Sequence, residues 1–149
     1  MTLDAARLFA REVPAIRDGV VQIVAIARRA GKRTKIAVRS FDEQIDPIAE
    51  VCGSDGKNIT RIVGLLGDAE VDVVPWDDNP AMFVCNALAP LEIARVIIDY
   101  EGHRMELFVP DEMIHMTPGD DGLRLVLAAE LTGWRIDVHR LSRYVPSAT

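Results

Sequence analysis

The sequence repeats one pattern of elements at an interval of about 65 residues. The turn "GSDG" at 53–56 is matched by "GDDG" at 119–122, and "VDVV" at 71–74 by "IDV" at 136–138. In each half the turn leads into an amphipathic helical pattern and then into a strand. Self-similarity at a fixed spacing indicates a repeated structural unit. The chain of 149 residues is therefore expected to fold as two copies of one small α+β unit.

The order of predicted elements is the same in both halves. The first half has a helical lead (3–12), two strands joined around Gly31 (19–28 and 33–40), a helix starting at Asp46-Pro47, the turn, a helix (57–66) and a strand ending at Pro75. The second half has a helix starting at Asn79-Pro80, two strands around Glu101-Gly102 (92–110), a short helix "DEMIHM", the turn, a helix closed by Gly133 and a strand (134–141). Units of this size bury little core singly, so we expect the two to pack on each other as one rigid body.

Charge is distributed unevenly along the chain. The net charge is −6, which is unfavourable for a nucleic-acid-binding protein as a whole. Up to residue 66, however, 11 Lys and Arg residues stand against 8 Asp and Glu residues, whereas 6 stand against 15 from residue 67 onward. The hairpin "RRAGKRTKIAVR" contains six basic residues and no acid: Arg28, Arg29, Lys32, Arg33, Lys35 and Arg39. Both a phosphate contact and a solvated strand pair explain this hairpin.

Several functional classes lack support in the sequence. No apolar run is long enough to span a bilayer, and the start "MTLDAARLFAREVP" has no secretory signal pattern, so a cytoplasmic location is expected. The two cysteines and three histidines are too scattered for a metal site. No nucleophile elbow, P-loop or HExxH helix is present. We expect no catalysis, no cofactor and no metal.

A GxxG turn alone is a weak signal, because chance supplies matches. Gly64 to Gly67 is such a match at a helix end, and we interpret Gly67 as a C-terminal cap and Gly64 as a close-packing glycine. The other two turns each lie between two helices that a strand follows. That context resembles the bacterial form of the K-homology (KH) fold, in which the GxxG turn clamps the backbone of about four nucleotides.

Longer segments carry a more specific resemblance. Over residues 8–144 the chain is similar to the tandem KH region of the bacterial transcription elongation factor family NusA, in the segments "LFAREVPAIRDGVVQIVAIAR", "RTKIAVRS", "IDPIAEVCG", "VDVVPWDDNPAMFVCNALAP" and "LAAELTGWRIDV". The resemblance implies two tandem type II KH domains, αββααβ each. It divides the chain into a lead like the junction after the family's OB-type domain (1–18), a first KH domain (19–77), a second (78–144) and a tail (145–149). A stand-alone paralogue and a fragment both fit this pattern.

The resemblance also implies binding of single-stranded RNA during transcription elongation, termination and antitermination, with RNA polymerase and other Nus factors as partners. The residues expected to contact RNA are those of the first turn and its helix, together with the basic hairpin: Gly53, Ser54, Gly56, Lys57, Asn58, Arg61, Arg28, Arg29, Lys32, Arg33, Lys35 and Arg39.

Both turns depart from the family pattern, which has basic or neutral inner positions. The first reads "GSDGKNI", and the second reads "TPGDDGLRLVLA". We predict weakened RNA binding, with a degenerate second turn at Gly119, Asp120, Asp121, Gly122 and Arg124, because a carboxylate near a phosphate is repelled. The alternative is a degenerate KH pair that binds a basic protein, such as a ribosomal protein, with little or no RNA binding.

Overall fold

The computed structural model describes residues 2–116 and 122–146, and the chain divides into two compact units, Met1–Asp77 and Asp78–Thr149. The helices and strands of the first unit are, in order, α1 (Thr2–Glu12), α2 (Pro14–Arg17), β1 (Val21–Arg29), β2 (Arg33–Ser40), α3 (Pro47–Cys52), α4 (Lys57–Leu66) and β3 (Glu70–Pro75). A 3₁₀ turn, Ser54–Gly56, lies between α3 and α4. The strands form one sheet in the order β1-β2-β3, with β1 antiparallel and β3 parallel to β2.

Local sequence signals explain where the first unit's helices begin and end. Asp46 caps α3, because its Oδ1 accepts a hydrogen bond from the Ile48 N–H at 2.9 Å, and Pro47 takes the first helical position. Gly67 ends α4 in the left-handed conformation at φ 74°, as predicted. The close packing predicted for Gly64 is wrong, since a Cβ built there meets nothing within 4 Å.

The core of the first unit lies between the helices and one face of the sheet. Its fully buried side chains come from α1 and its end, from the strands and from both helices that flank the turn: Phe9, Val13, Val21, Ile36, Val38, Val51 and Ile62. Phe9 and Val13 are 0% exposed. The lead segment therefore supplies the first helix of this unit's αββααβ order.

The second unit repeats this order. Its elements are α5 (Pro80–Ala87), β4 (Arg95–Asp99), β5 (Arg104–Val109), a 3₁₀ helix (Asp111–Met116), α6 (Leu123–Thr132) and β6 (Arg135–Arg140), followed by a 3₁₀ turn (Leu141–Arg143). The strands form a sheet in the order β4-β5-β6, again with one antiparallel and one parallel pair. Buried side chains of α5, β5 and α6 include Phe83, Leu107 and Leu127.

Two local features of the second unit add detail to the predicted elements. "DEMIHM" forms the predicted short helix as a 3₁₀ helix, with the Met113 N–H donating to the Pro110 carbonyl at 2.8 Å. The hairpin predicted around Glu101-Gly102 forms between β4 and β5, and His103 in its turn is left-handed, at φ 50°. The His103 ring stacks on Trp134 with centroids 4.4 Å apart.

The equivalent positions of the two units share backbone geometry. Gly56 and Gly122 precede α4 and α6 with φ of 72° and 82°, and Gly67 and Gly133 follow those helices with φ of 74° and 80°. The predicted α+β fold and the duplication are thus confirmed. The packing of the two units on each other as one rigid body stays a prediction.

Candidate nucleic-acid interface

The first glycine turn is a left-handed link between two helices. Gly53 has φ 77° and ψ 172°, a conformation open essentially to glycine alone, and a Cβ there would lie 2.8 Å from Asn58 Cγ. Gly56 has φ 72° and ψ 18°. Between them Asp55 is also left-handed, at φ 54° and ψ 27°, which Asp tolerates better than most residues. The glycines let the backbone turn within four residues and leave its surface uncovered.

The amino end of α4 opens onto this turn. Within the described residues no side chain caps α4, whereas Asp46 caps α3. The first N–H groups of an uncapped helix carry partial positive charge and attract anions. Lys57, the first residue of α4, is exposed, and so is Ser54. The Gly56 and Lys57 N–H groups already donate within the turn, to the Gly53 and Ser54 carbonyls. A phosphate here would therefore be attracted by the helix dipole, the Lys57 ammonium group and the Ser54 hydroxyl.

Asn58 and Arg61 hold the turn in place rather than facing only solvent. The Asn58 Nδ2 group donates to the Glu50 carbonyl of α3 at 3.3 Å, and the Arg61 guanidinium donates to Asn58 Oδ1 at 2.9 Å. Arg61 Nε also donates to Glu12 Oε1 of α1 at 2.7 Å. These bonds connect α1, α3 and α4 behind the turn, so both side chains position the site.

Asp55 is the feature of this turn that opposes phosphate binding. Its side chain is exposed at the centre of the turn, beside the open helix end. A carboxylate in this position repels the phosphate that Lys57 and the helix end attract. The first turn therefore has the geometry of a phosphate site with one unfavourable charge.

Arg28 of the basic hairpin is ion-paired with a buried carboxylate, that of Asp68. Arg28 donates to both oxygens of Asp68, Nε to Oδ2 at 3.0 Å and a terminal nitrogen to Oδ1 at 3.1 Å. Thr34 Oγ1 and the Gly31 N–H also donate to this carboxylate, at 2.5 and 2.7 Å. Burial alone would raise the pKa of Asp68, but these hydrogen bonds and the Arg28 charge hold it below its ordinary value. Arg28 thus closes the hairpin onto the segment after α4.

A second carboxylate takes two more of the hairpin's basic residues. Lys35 Nζ lies 2.9 Å and an Arg33 guanidinium nitrogen 2.6 Å from Asp72 Oδ2 on the neighbouring strand β3. Arg33 also pairs with Glu70 at 2.5 Å. Both basic side chains are buried, at 4% and 1% exposure for Arg33 and Lys35, which rules out the solvated strand pair for these two. Burial would raise the pKa of Asp72, and its two cationic partners lower it below its ordinary value.

The other basic residues of the hairpin lie in different surroundings. Arg29 and Lys32 are exposed, and an Arg29 guanidinium nitrogen donates to the Arg28 carbonyl at 3.1 Å. The Arg39 guanidinium lies 4.7 Å from the centre of the Phe41 ring and 5.2 Å from that of Trp76. The basic residues of the hairpin therefore differ in their surroundings: Arg28, Arg33 and Lys35 pair with Asp68 or Asp72, Arg39 lies over two aromatic rings, and Arg29 and Lys32 are exposed.

The second turn is only partly described. Gly119, Asp120 and Asp121 lie outside the described residues. Gly122 is left-handed, and no side chain from the described residues caps α6, as at α4. Arg124, in the first turn of α6, is half-buried. Lys57, at the start of α4, corresponds to Leu123, so the second helix begins without a basic residue at that position.

Sequence reasoning missed three residues of α1, the helix that Arg61 links to the first turn. Glu12 receives hydrogen bonds from Arg11 Nε at 2.9 Å and from Arg61 at 2.7 Å, and these hold the pKa of Glu12 below its ordinary value. Arg7 lies one helical turn before Arg11 on the exposed side of α1. The four-residue spacing of the two arginines in the predicted lead helix was the available signal.

Comparison with known proteins agrees with this geometry. Residues 4–76 match the family model of the NusA-like first KH domain, and residues 80–145 match that of the NusA-like second KH domain. The chain belongs to the NusA-like KH family. The predicted type II KH pair and the family resemblance are thereby confirmed.

Curated relatives are similar over the same region. The Bacillus subtilis (strain 168) protein named transcription termination/antitermination protein NusA is 41% identical over 132 residues, which is 89% of this chain and 36% of that protein. The Mycobacterium bovis protein of the same name is 41% identical over 133 residues, covering 89% of this chain and 38% of that protein. The chain thus spans somewhat more than a third of the length of these relatives.

A solved structure shares the fold. The crystal structure of APE1850 aligns with a TM-score of 0.66 over 92% of this chain and 96% of that one, at 16% identity. The NusA-like KH family is not an enzyme family. None of the helices in the described part of the chain is long and apolar enough to cross a membrane.

Proposed function

We propose that this chain binds single-stranded RNA, mainly through the first glycine turn, as a factor in bacterial transcription elongation, termination or antitermination. One observation carries the proposal: the turn between α3 and α4 exposes an uncapped helix end beside Lys57. The name of the curated relatives, transcription termination/antitermination protein NusA, supports the link to transcription. RNA polymerase and other Nus factors are the partners that this function implies.

This chain binds RNA more weakly than a KH pair whose glycine turns have neutral inner residues. Asp55 places a negative charge at the first turn, and Asp120 and Asp121 place two at the second. A carboxylate about 4–5 Å from a phosphate costs on the order of 3–4 kcal/mol at an effective dielectric near 20, and screening at an exposed loop reduces this cost. The second unit therefore contributes little affinity, and the first unit provides most of it.

A fluorescence titration with labelled single-stranded RNA tests this division. Asp120→Lys together with Asp121→Arg should raise affinity if the acidic charges are what weakens RNA binding at the second turn. Lys57→Gln should lower the affinity of either form. No gain from the double substitution would show that the second unit fails to bind RNA for reasons other than charge.

A KH pair that binds a basic protein segment is the second candidate. The observation in its favour is the charge of the second unit, where residues 78–149 hold 6 Arg and no Lys against 11 acids. Glu106 and Asp137 are also direct neighbours on β5 and β6, at the ladder position where the first unit pairs Lys35 with Asp72. Under this candidate, RNA binding is absent even at low salt, and that result would replace the RNA proposal.

A further inference from the structure

A row of exposed basic side chains leads away from the first glycine turn. Lys57 and Arg61 lie one helical turn apart on α4, and Arg7 and Arg11 lie one turn apart on α1. All four are exposed. We call these residues the α1–α4 track.

The two halves of the track meet at one carboxylate. Glu12 Oε2 accepts from Arg11 Nε at 2.9 Å, and Glu12 Oε1 accepts from Arg61 Nε at 2.7 Å. Both guanidinium groups therefore lie within a few ångströms of each other. A single carboxylate balances only one of them, so a positive charge remains at the junction. The side chains of Arg11 and Arg61 are 66% and 48% exposed, which leaves them accessible to a phosphate.

The far end of the track opens into a cavity of about 420 Å³ between α1 and the end of α4. Arg7 and Arg11 line it together with Arg28, and Leu65 and Leu66 form its apolar wall. Arg28 is paired with Asp68, so the remaining positive charge of this cavity comes from the two α1 arginines. Asp4 also lines the cavity and offsets part of that charge.

We propose that the α1–α4 track binds the sugar-phosphate backbone of RNA beyond the nucleotides held by the glycine turn. This inference rests on the proposed function, because the turn must first hold the RNA. From Lys57 to Leu65 the helix rises about 12 Å, which at about 3.4 Å per stacked nucleotide corresponds to three or four nucleotides. A KH turn holds about four nucleotides, so the first unit would contact about seven or eight. The charged track adds affinity without base specificity.

The test measures affinity against RNA length. Labelled oligouridines of 4, 8 and 12 nucleotides are titrated with the whole chain, with the double variant Arg7→Gln/Arg11→Gln, and with the matched double variant Arg135→Gln/Arg143→Gln, whose arginines are exposed in the second unit. Circular dichroism and thermal unfolding check that each variant is folded. Glutamine removes the charge and retains helix propensity.

We expect the wild-type affinity to rise between 4 and 8 nucleotides and to change little beyond 8. The α1 variant should bind the 8-mer about three- to tenfold more weakly, as expected for the loss of two exposed ion pairs. Its salt dependence should also decrease, by about 1.4 in the slope of log affinity against log salt. The 4-mer should bind the variant and the wild type equally, and the matched control should behave like the wild type.

Two outcomes overturn the inference in distinguishable ways. If the 4-mer binds and Lys57→Gln weakens that binding, but length dependence is the same in the α1 variant and the wild type, RNA does not reach Arg7 and Arg11; the inference then fails and the proposed function remains. If no oligonucleotide binds the wild type even at low salt, the proposed function fails and the inference fails with it. An equal loss of affinity in the matched control would show that the effect comes from net charge, and this too would refute RNA binding by the α1–α4 track.

Discussion

Replacing Asp55 by Asn should strengthen RNA binding, because it removes the charge that opposes a phosphate at the first turn. Asn has nearly the same size as Asp and also adopts the left-handed conformation that residue 55 requires at φ 54°. The backbone of the turn should therefore be preserved. The substitution therefore removes the negative charge of residue 55 without changing the shape of its side chain.

The expected magnitude follows from the exposed position of Asp55. Two unit charges 4–5 Å apart interact with about 3–4 kcal/mol at an effective dielectric near 20. Solvent and salt reduce this several-fold at an exposed turn, which leaves about 1 kcal/mol. That energy corresponds to an increase in affinity of about fivefold. The gain should decrease as the salt concentration rises, because it is electrostatic.

The assay is fluorescence anisotropy with a short single-stranded RNA at two salt concentrations. Glu43→Gln is the matched control, since Glu43 is exposed and precedes α3, whereas the turn follows it. Thermal unfolding should show a change below about 0.5 kcal/mol for both variants. If Asp55→Asn leaves the affinity unchanged while Lys57→Gln lowers it, no phosphate lies near residue 55 and the electrostatic reasoning is refuted.

Three further predictions concern the stability of the first unit and the basic residues that are ion-paired within it. Gly53→Ala should lower the free energy of unfolding by about 1–3 kcal/mol, because φ 77° with ψ 172° is strained for any other residue. Gly64→Ala, in the exposed interior of α4, should raise the free energy of unfolding by about 0.5–1 kcal/mol. Denaturant unfolding of both variants measures the two changes. Asp68→Asn should lower the free energy of unfolding by about 3 kcal/mol, because it leaves Arg28 without its carboxylate. The pKa of Asp68 is lower in the folded state than in the unfolded one, so the stability that its carboxylate provides is present above about pH 4 and is lost as the pH falls. The unfolding curves of the variant and the wild type should therefore converge in acid. Lys35→Ala should destabilise the chain by about 2–3 kcal/mol and leave the RNA affinity of the folded protein unchanged. The control Lys32→Ala should change stability by less than about 0.5 kcal/mol. A lower RNA affinity of folded Lys35→Ala would contradict the assignment of Lys35 to an ion pair with Asp72.

Short-range signals in the sequence predicted most of the fold. Asp46 with Pro47 and Asn79 with Pro80 start α3 and α5 as expected, and the Asn79 side chain accepts from the Ala81 and Met82 N–H groups at 3.0 and 3.3 Å. The left-handed glycines that end α4 and α6 were also predicted. Each of these signals acts within a few residues, so the sequence carries it directly.

The candidate site was harder to predict, because its character depends on contacts between distant residues. Arg28 and Asp68 are 40 residues apart, and Lys35 and Asp72 are 37 apart. Six basic residues in one hairpin look alike in the sequence, and it is the positions of Asp68 and Asp72 in the fold that show Arg28, Arg33 and Lys35 to be ion-paired. The sharing of Glu12 by Arg11 and Arg61 likewise depends on how α1 packs on α4.

The most direct test of RNA binding by the first glycine turn is a titration of the wild type and of Lys57→Gln with single-stranded RNA at low and moderate salt. We expect the wild type to bind at low salt, with affinity that falls as salt increases, and we expect Lys57→Gln to bind more weakly with a reduced salt dependence. Thermal unfolding should show the variant to be as stable as the wild type, because Lys57 is exposed. Absence of binding by the wild type at low salt, or equal binding by a folded Lys57→Gln variant, would contradict the assignment of RNA binding to this turn.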